Sequence, residues 1–157
     1  RQGTDIFLGS HPHVLQPIAF KRVRDRYGVT KQRFIAYSLG NFVSNMRSFY
    51  TSGSIILNFT LTKEKDAKGT WRTQVTKVGY EPIWVYKQRH RRSRKRTFHI
   101  LPINRYKRND QPLKLPRYTY RRMMRYYRFV RKHLRRGMRQ AQRILPPKRS
   151  KTTPTSG

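Results

Sequence analysis

Residues 4–13 read TDIFLGSHPH, an apolar run that ends in Gly-Ser and leads into two histidines one residue apart. The apolar run predicts a buried strand from Thr4 to Gly9 that opens into a polar loop. Arg33–Tyr37 is a second predicted strand, and it too is followed by a turn-rich stretch, Ser38–Asn41. The charged segment between the two strands, Lys21–Gln32, has the composition of an exposed hairpin connection rather than a helix. A strand followed by a polar loop therefore occurs twice in this part of the chain.

The middle of the chain predicts further strands. Ser54–Thr62 is rich in β-branched and aromatic residues, and Trp71–Val78 alternates well enough to pair with it antiparallel. Lys63–Thr70 supplies a polar turn between them, so a β-hairpin is predicted here. Two more short strands are predicted at Ile83–Tyr86 and Phe98–Leu101, with a basic link between them.

The positive charge is concentrated in the second half of the chain. The formal net charge is +32, and residues 87–157 hold 25 Lys and Arg against a single acid, whereas residues 1–86 hold 13 against 5. A field of one sign this dense is tolerated where the segment is exposed or faces a polyanion such as nucleic acid, anionic lipid or an acidic polymer. There is no cysteine, which excludes disulfides and thiolate metal sites.

An amphipathic basic helix is predicted at residues 117–145. It follows Pro116, which a helix start tolerates, and it ends at Pro146-Pro147. Arginine and lysine fill most positions between apolar residues that recur at spacings of three and four: Tyr120, Met123 or Met124, Tyr127, Val130, Leu134, Met138, Ala141 and Leu145. Residues 146–157 have the composition of a disordered tail.

The basic link and the helix interleave arginine with tyrosine and phenylalanine. This pattern suits stacking on nucleic acid or lying in an anionic membrane interface. The alternative is that the apolar stripe of the helix packs onto the protein's own sheets and leaves the charges solvated. The residues alone leave these alternatives open. The candidate polyanion-binding residues are Arg91, Arg92, Arg94, Lys95, Arg96, Arg121, Arg122, Arg125, Arg128, Arg131, Arg135 and Arg136.

The loop Gly9–His13 is the sharpest chemical signal. His11 and His13 at the mouth of a strand can point imidazoles toward one or two metal ions, because a loop frees both side chains from strand alternation. On spacing alone, a pair of surface histidines beside a proline is the more common explanation, since no second cluster of ligands is present. No residue is assigned a catalytic role.

The wider sequence resembles one protein family. The strings DIFLGSHPHVLQPI, RFIAYSLGNFV and SIILNFTL, in this order and spacing, resemble the end of the catalytic domain of the CapA, or poly-γ-glutamate capsule synthesis, family. The resemblance runs through the YEPIWV strand to the FHILPI ending. It divides the chain into the C-terminal part of a CapA-like metallophosphatase domain at 1–103, a linker at 104–116, the basic helix at 117–145 and the tail at 146–157.

Proteins of this family are similar to calcineurin-like metallophosphoesterases, which implies an α/β fold. The implied architecture is a fragment of a β-sandwich with flanking helices, here mostly strands, followed by the basic C-terminal helix. The resemblance implies that His11 and His13 are late ligands of a two-metal centre holding Mn, Fe or Zn. It also implies that Ser38, Gly40 and Asn41 line or shape the neighbouring site. A turn that needs Gly and Asn for positive φ explains the same three residues equally well.

The early ligands of such a centre, which are aspartates, an asparagine and another histidine, have no counterpart in this chain. Asp5, Asp25, Glu64 and Asp66 lie on a strand, in the charged connection or in the hairpin turn, and none looks like a replacement ligand. We therefore expect an upstream part of the protein to complete the centre. This chain alone is expected to hold metal weakly and to be inactive.

The resemblance implies a CapA-like role in the synthesis of a capsule or other anionic polymer, with a metal-dependent phosphoesterase centre that is incomplete in this chain. The expected partners are an anionic polymer or phosphoester substrate and an anionic membrane surface. The expected location is the bacterial cell envelope, in association with the membrane. The first alternative is a non-enzymatic envelope protein that binds polyanions or the membrane. The second is a nucleic-acid-binding protein, which charge alone suggests.

Overall fold

A computed structural model describes residues 4–24, 28–90, 93, 95–106 and 112–145. Within these residues the chain forms six β-strands in two three-stranded sheets, a short 3-10 turn and one long α-helix. In chain order the elements are β1 (Ile6–Leu8), β2 (Ile18–Arg24), β3 (Thr30–Ala36), the 3-10 turn (Tyr50–Ser52), β4 (Gly53–Lys65), β5 (Trp71–Arg89), β6 (Arg96–Pro102) and α1 (Arg117–Ile144).

The first sheet has the order β1-β3-β2. β1 runs parallel to β3, with Ile6 opposite Phe34, and β2 pairs with β3 antiparallel. The predicted hairpin connection is confirmed, but its bounds were wrong, because β2 continues through the charged residues up to Arg24 and β3 begins at Thr30. β2 was not predicted as a strand. Only its first part has an inward apolar face, in Ile18 and Phe20, while the rest is exposed and pairs with β3 through the backbone ladder.

The predicted strand at Thr4–Gly9 is present but is not buried. Phe7 and Leu8 remain 51% and 49% exposed. The reason is that β1 lies at the edge of the first sheet and has β3 as its single neighbour. An apolar run predicts a fully buried strand only when neighbours cover both of its faces.

The second sheet has the order β4-β5-β6, and every pair in it is antiparallel. The predicted β4–β5 hairpin is confirmed. Its turn is closed by Asp66, whose carboxylate accepts hydrogen bonds from the backbone N–H of Lys68 and Thr70 at 2.9 and 3.0 Å. The separate strand predicted at Ile83–Tyr86 was wrong, because β5 runs without interruption from Trp71 to Arg89 and stays paired with its neighbours.

The helix α1 packs its apolar face onto β2 and β5. Tyr126 lies at the centre of this contact, with its ring 5.5 Å from that of Trp84 and 5.8 Å from that of Phe49. The apolar spacing predicted the helix but placed Tyr127 rather than Tyr126 on the inner face. The residues of α1 that are fully buried are Met123, Tyr126, Val130, Leu134, Gly137 and Ala141.

The buried face of α1 includes a glycine because the helix backbone approaches β2 closely. A Cβ atom at Gly137 would overlap the carbonyl oxygen of Ile18. A hydrophobicity pattern does not count glycine as a buried position, so the inner face could not be located correctly from apolar spacing alone.

The apolar stripe of α1 is therefore part of the protein's own core, and its arginine-rich face is the one exposed to solvent. No helix among the described residues is long and apolar enough to cross a membrane. The two sheets and one C-terminal helix agree with the α/β class that was predicted. The described ranges contain one α-helix, so the flanking helices of a metallophosphoesterase-like sandwich stay a prediction, as does the division of the chain into domains.

Candidate functional site

Two loops that follow the parallel strands β1 and β3 lie side by side. The backbone N–H of Gly9 donates to the carbonyl of Ala36 at 2.9 Å, and the N–H of Leu39 donates to the carbonyl of Gly9 at 2.8 Å. A Cβ atom at Gly9 would overlap the carbonyl oxygen of Tyr37, so glycine permits this close approach. Because parallel strands end at the same edge of a sheet, the histidine loop and the Ser38–Asn41 loop meet there.

The histidine loop is a tight turn. The N–H of His13 donates to the carbonyl of Ser10 at 3.0 Å, and His13 has a φ of 58°. This left-handed conformation is uncommon for residues other than glycine, and it is often found at functional sites. In this conformation the imidazole of His13 reaches the next loop, where its Nδ1 lies 2.8 Å from Oδ1 of Asn41.

The amide of Asn41 determines which nitrogen of His13 carries the proton. Its Nδ2 donates to the carbonyl of Thr51 and to Sδ of Met46, both at 3.4 Å, and this hydrogen-bond network assigns Oδ1 to the side facing His13. An amide oxygen only accepts hydrogen bonds, so Nδ1 of His13 is the donor. The Nε2 atom of a neutral His13 then keeps its lone pair and is available as a metal ligand.

Ser38 and Gly40 shape the second loop. Ser38 is fully buried, and its Oγ accepts a hydrogen bond from the N–H of Gly40 at 3.2 Å. Gly40 has a φ of 78° and bridges to Ser54, so the loop joins the first sheet to the second. The structure therefore gives Ser38 a role inside the turn, whereas Gly40 and Asn41 reach the surface of the site.

The two histidines share one cleft of about 650 Å³. His11 and His13 form one wall, and the loop after β3 together with the start of β4 forms the other. Sequence reasoning did not identify the other lining residues, since nothing in their type or spacing sets them apart. The lining residues are Ser10, His11, His13, Leu39, Gly40, Asn41, Phe42, Ser54 and Ile55.

The fit of this cleft to a metal centre is partial. Catalytic metal sites are typically built from about three protein ligands with an open position. In the part of the chain that the structure describes, no group of three or more His, Cys, Asp or Glu side chains could hold a metal ion. Asp5 and Asp66 pair with Arg33 and Arg72 instead. The described residues thus place two imidazoles at the cleft, without a third side chain of these types close enough to complete a metal site.

The remaining histidines have structural contacts of their own. Nε2 of His99 lies 2.9 Å from Oε1 of Gln88, and Nε2 of His90 lies 2.7 Å from Oγ1 of Thr97. His133 stacks on Phe129 at 4.8 Å between ring centroids, and burial lowers its pKa. Each of the three residues thus has a contact of its own away from the histidine cleft.

The candidate polyanion-binding residues fall into two groups. Lys95 and Arg96 are exposed at the start of β6. Six of the candidate arginines of α1 are also exposed, namely Arg121, Arg125, Arg128, Arg131, Arg135 and Arg136. Arg122 is half-buried, and the guanidinium groups of Arg122 and Arg125 lie 5.9 and 5.3 Å from the ring centroid of Phe49. Arg91, Arg92 and Arg94 lie outside the described residues.

Comparison with known proteins finds similarity to one family. Residues 1–46, which hold both loops of the cleft, match the family described as "Bacterial capsule synthesis protein PGA_cap". The PGA biosynthesis protein CapA of Bacillus subtilis (strain 168) is 38% identical over 76 residues, which are 48% of this chain and 17% of that relative. No solved structure matches the chain significantly.

Through the segment that carries the histidine cleft, the chain is similar to proteins of the CapA capsule synthesis family, and both matches support the family resemblance predicted from the sequence. The chain spans 17% of the length of the curated relative that it matches.

Proposed function

We propose that His11 and His13 contribute two ligands to a divalent metal centre of phosphoesterase type in a capsule synthesis protein. The observation that carries this proposal is the hydrogen bond from His13 Nδ1 to Asn41 Oδ1. Metal-ligating histidines commonly donate their other ring N–H to such a partner, which fixes the tautomer and the orientation of the ring. A surface histidine without a function needs neither the partner nor the left-handed backbone of His13.

Each residue of the cleft has a distinct part in this proposal. The imidazoles of His11 and His13 would hold the metal, for which Mn, Fe and Zn are all suited to histidine and carboxylate ligands. Asn41 holds the proton on Nδ1 of His13, and Gly40 allows the second loop to turn toward the cleft. When bound, a pair of divalent ions supplies a nucleophilic hydroxide and neutralises phosphate charge. The remaining ligands would come from outside the described residues.

The proposed substrate is a phosphoester or an anionic polymer of the capsule. The B. subtilis relative is named as a PGA biosynthesis protein, and a capsule is assembled at the cell envelope. We therefore propose a location at the bacterial envelope, in association with the membrane. The arginine-rich exposed face of α1 supports contact with anionic lipid headgroups there, because each basic residue near such a surface contributes about 1 kcal/mol.

A second candidate function is non-enzymatic binding of a polyanion by α1. The observation in its favour is the row of exposed arginines on a helix whose apolar face is already covered by the protein's own sheets. Salt-dependent binding to anionic vesicles but not to DNA favours an envelope role. A steep dependence of DNA affinity on salt concentration favours a nucleic-acid-binding protein instead.

Calorimetric titration of this chain with Mn²⁺ or Zn²⁺ is expected to show weak binding that depends on the histidine loop. Two imidazoles without carboxylate ligands hold a divalent ion less tightly than a complete site does. The double variant His11→Ala/His13→Asn removes this binding, and asparagine is chosen at the second position because it tolerates positive φ. His90→Ala is the matched control and leaves the titration unchanged. A tight site for two metals in this chain would contradict the proposal.

A further inference from the structure

A cluster of cations lies on one face of the β5–β6 hairpin. Lys87 and Arg89 are two residues apart in β5, so their side chains leave the same face of the sheet. Arg96 of β6 is the direct ladder partner of Arg89, which places it on that face as well. Like charges that face each other across a ladder destabilise the strand pairing. The facing charges of Arg89 and Arg96 therefore weaken the pairing of β5 with β6.

A fourth cation joins this face from the loop that follows Asn41. Nζ of Lys87 donates a hydrogen bond to the carbonyl oxygen of Met46, which holds the next residue, Arg47, beside the hairpin. Burial first, and then the charges of Arg47 and Arg96, lower the pKa of Lys87. Arg47 and Arg96 thus lie close to Lys87, and Arg89 faces Arg96 across the ladder, although the four cations come from three different segments of the chain.

None of the ion pairs formed among the described residues neutralises this cluster. The guanidinium groups in those pairs belong to β3, β5 and the turn after β6, and none of them is one of the four cations. The pairs are Asp5–Arg33, Asp66–Arg72 and Glu81–Arg105. A concentrated positive charge with no carboxylate partner on a paired, well-defined sheet is suited to binding an external anion.

We propose that Arg47, Lys87, Arg89 and Arg96 form an oxyanion-binding site that takes a carboxylate or phosphate group. Guanidinium groups match the planar or tetrahedral oxygens of such ligands with two parallel hydrogen bonds, and the ammonium of a lysine adds a point charge. This proposal does not depend on the proposed metal centre, because none of the four residues lines the histidine cleft.

The oxyanion site and the histidine cleft share one loop. The carbonyl oxygen of Met46 accepts the hydrogen bond from Lys87, and its Sδ accepts one from the amide of Asn41, which in turn contacts His13. An acidic ligand that occupies the site therefore lies on the segment that also supports the cleft.

The test is calorimetric titration of the whole chain at low ionic strength with two probes, citrate as a carboxylate and tripolyphosphate as a phosphate. The site variant is Arg47→Gln/Arg96→Gln, which leaves the hydrogen bond from Lys87 to Met46 intact. The affinity of this variant for the probe is expected to fall by about tenfold or more for each removed cation that the bound anion contacts. A loss of this size is usual for hydrogen bonds between charged groups. The control variant is Arg22→Gln/Lys77→Gln, which removes the same charge from exposed strand positions elsewhere.

A loss of affinity in the site variant, with the control close to the unmodified chain, supports the site. Binding of citrate alone would identify the ligand as a carboxylate, and binding of tripolyphosphate alone would identify it as a phosphate. Binding of both would show that the site recognises the oxyanion chemistry that the two probes share. Equal losses in the two variants would show that charge alone attracts the probes, and would overturn the proposal. Binding of neither probe would overturn it as well. Titration of the same variants with a metal ion is expected to match that of the unmodified chain. Failure of the oxyanion site can therefore be distinguished from failure of the proposed metal centre.

Discussion

The substitution Tyr126→Ala is expected to lower the free energy of unfolding by about 3–5 kcal/mol, as is usual when a large buried aromatic side chain is removed. Tyr126 is fully buried and lies between Phe49, Trp84 and Phe129, with ring centroids within 5.8 Å. Its ring also covers Gly53, where a Cβ atom would overlap it. The side chain therefore joins α1 to β5 and to the first residue of β4, and alanine leaves a cavity between all three.

The measurement is urea denaturation followed by circular dichroism, with Tyr126→Phe as the matched control. The hydroxyl of Tyr126 is buried and has no hydrogen-bond partner among the described residues, and burial raises the pKa of this tyrosine. Removing an unpaired buried hydroxyl is expected to leave the stability unchanged or to raise it by about 1 kcal/mol. If the alanine variant were as stable as the phenylalanine variant, α1 would not be docked as described.

The second large effect is expected in the complete protein, where His13→Asn should abolish the hydrolysis of a generic phosphodiester. Loss of a ligand removes the metal, whereas Asn41→Ala removes only the group that orients the ligand. The asparagine variant of His13 should therefore lose more activity than Asn41→Ala, for which a loss of roughly 10- to 100-fold is typical of outer-shell partners. His11→Ala is expected to behave like His13→Asn.

The control for this series is His99→Gln, since His99 contacts Gln88 on β5 and lies outside the cleft. Metal content and hydrolysis rate are measured on the same preparations. Full activity in His13→Asn, or an equal loss in His99→Gln, would remove the phosphoesterase proposal. The non-enzymatic binding function would then be the one to pursue.

Local sequence patterns were sufficient to locate several elements and the two loops of the cleft. Alternation and turn residues identified the β4–β5 hairpin, because pairing across a short turn depends on neighbouring residues only. The runs ending in Gly-Ser and in Ser-Leu-Gly-Asn identified the two loops, since these residue types favour turns. Gly40 does have a positive φ, whereas in the first loop the positive φ is at His13, which the residue types did not indicate. The family resemblance added what the residues alone did not, namely that both loops belong to one site.

The remaining features depend on contacts between distant segments. The exposure of Phe7 follows from the place of β1 at a sheet edge, which no local pattern contains. The inner face of α1 is defined by Tyr126 and Gly137, because it is shaped by the close approach of Ile18 and Gly53. The hydrogen bond between His13 and Asn41 joins residues 28 positions apart and becomes visible only after β1 and β3 have paired.

The central claim is that His13 presents Nε2 to a metal ion while Asn41 holds the proton on Nδ1. The most direct measurement is NMR of the histidine ring nitrogens in the ¹⁵N-labelled chain, before and during titration with Mn²⁺. Our account predicts that His13 carries its proton on Nδ1, and that the ring signals of His11 and His13 broaden before those of His90, His99 and His133. A proton on Nε2 of His13, or equal broadening of all five histidines, would contradict it.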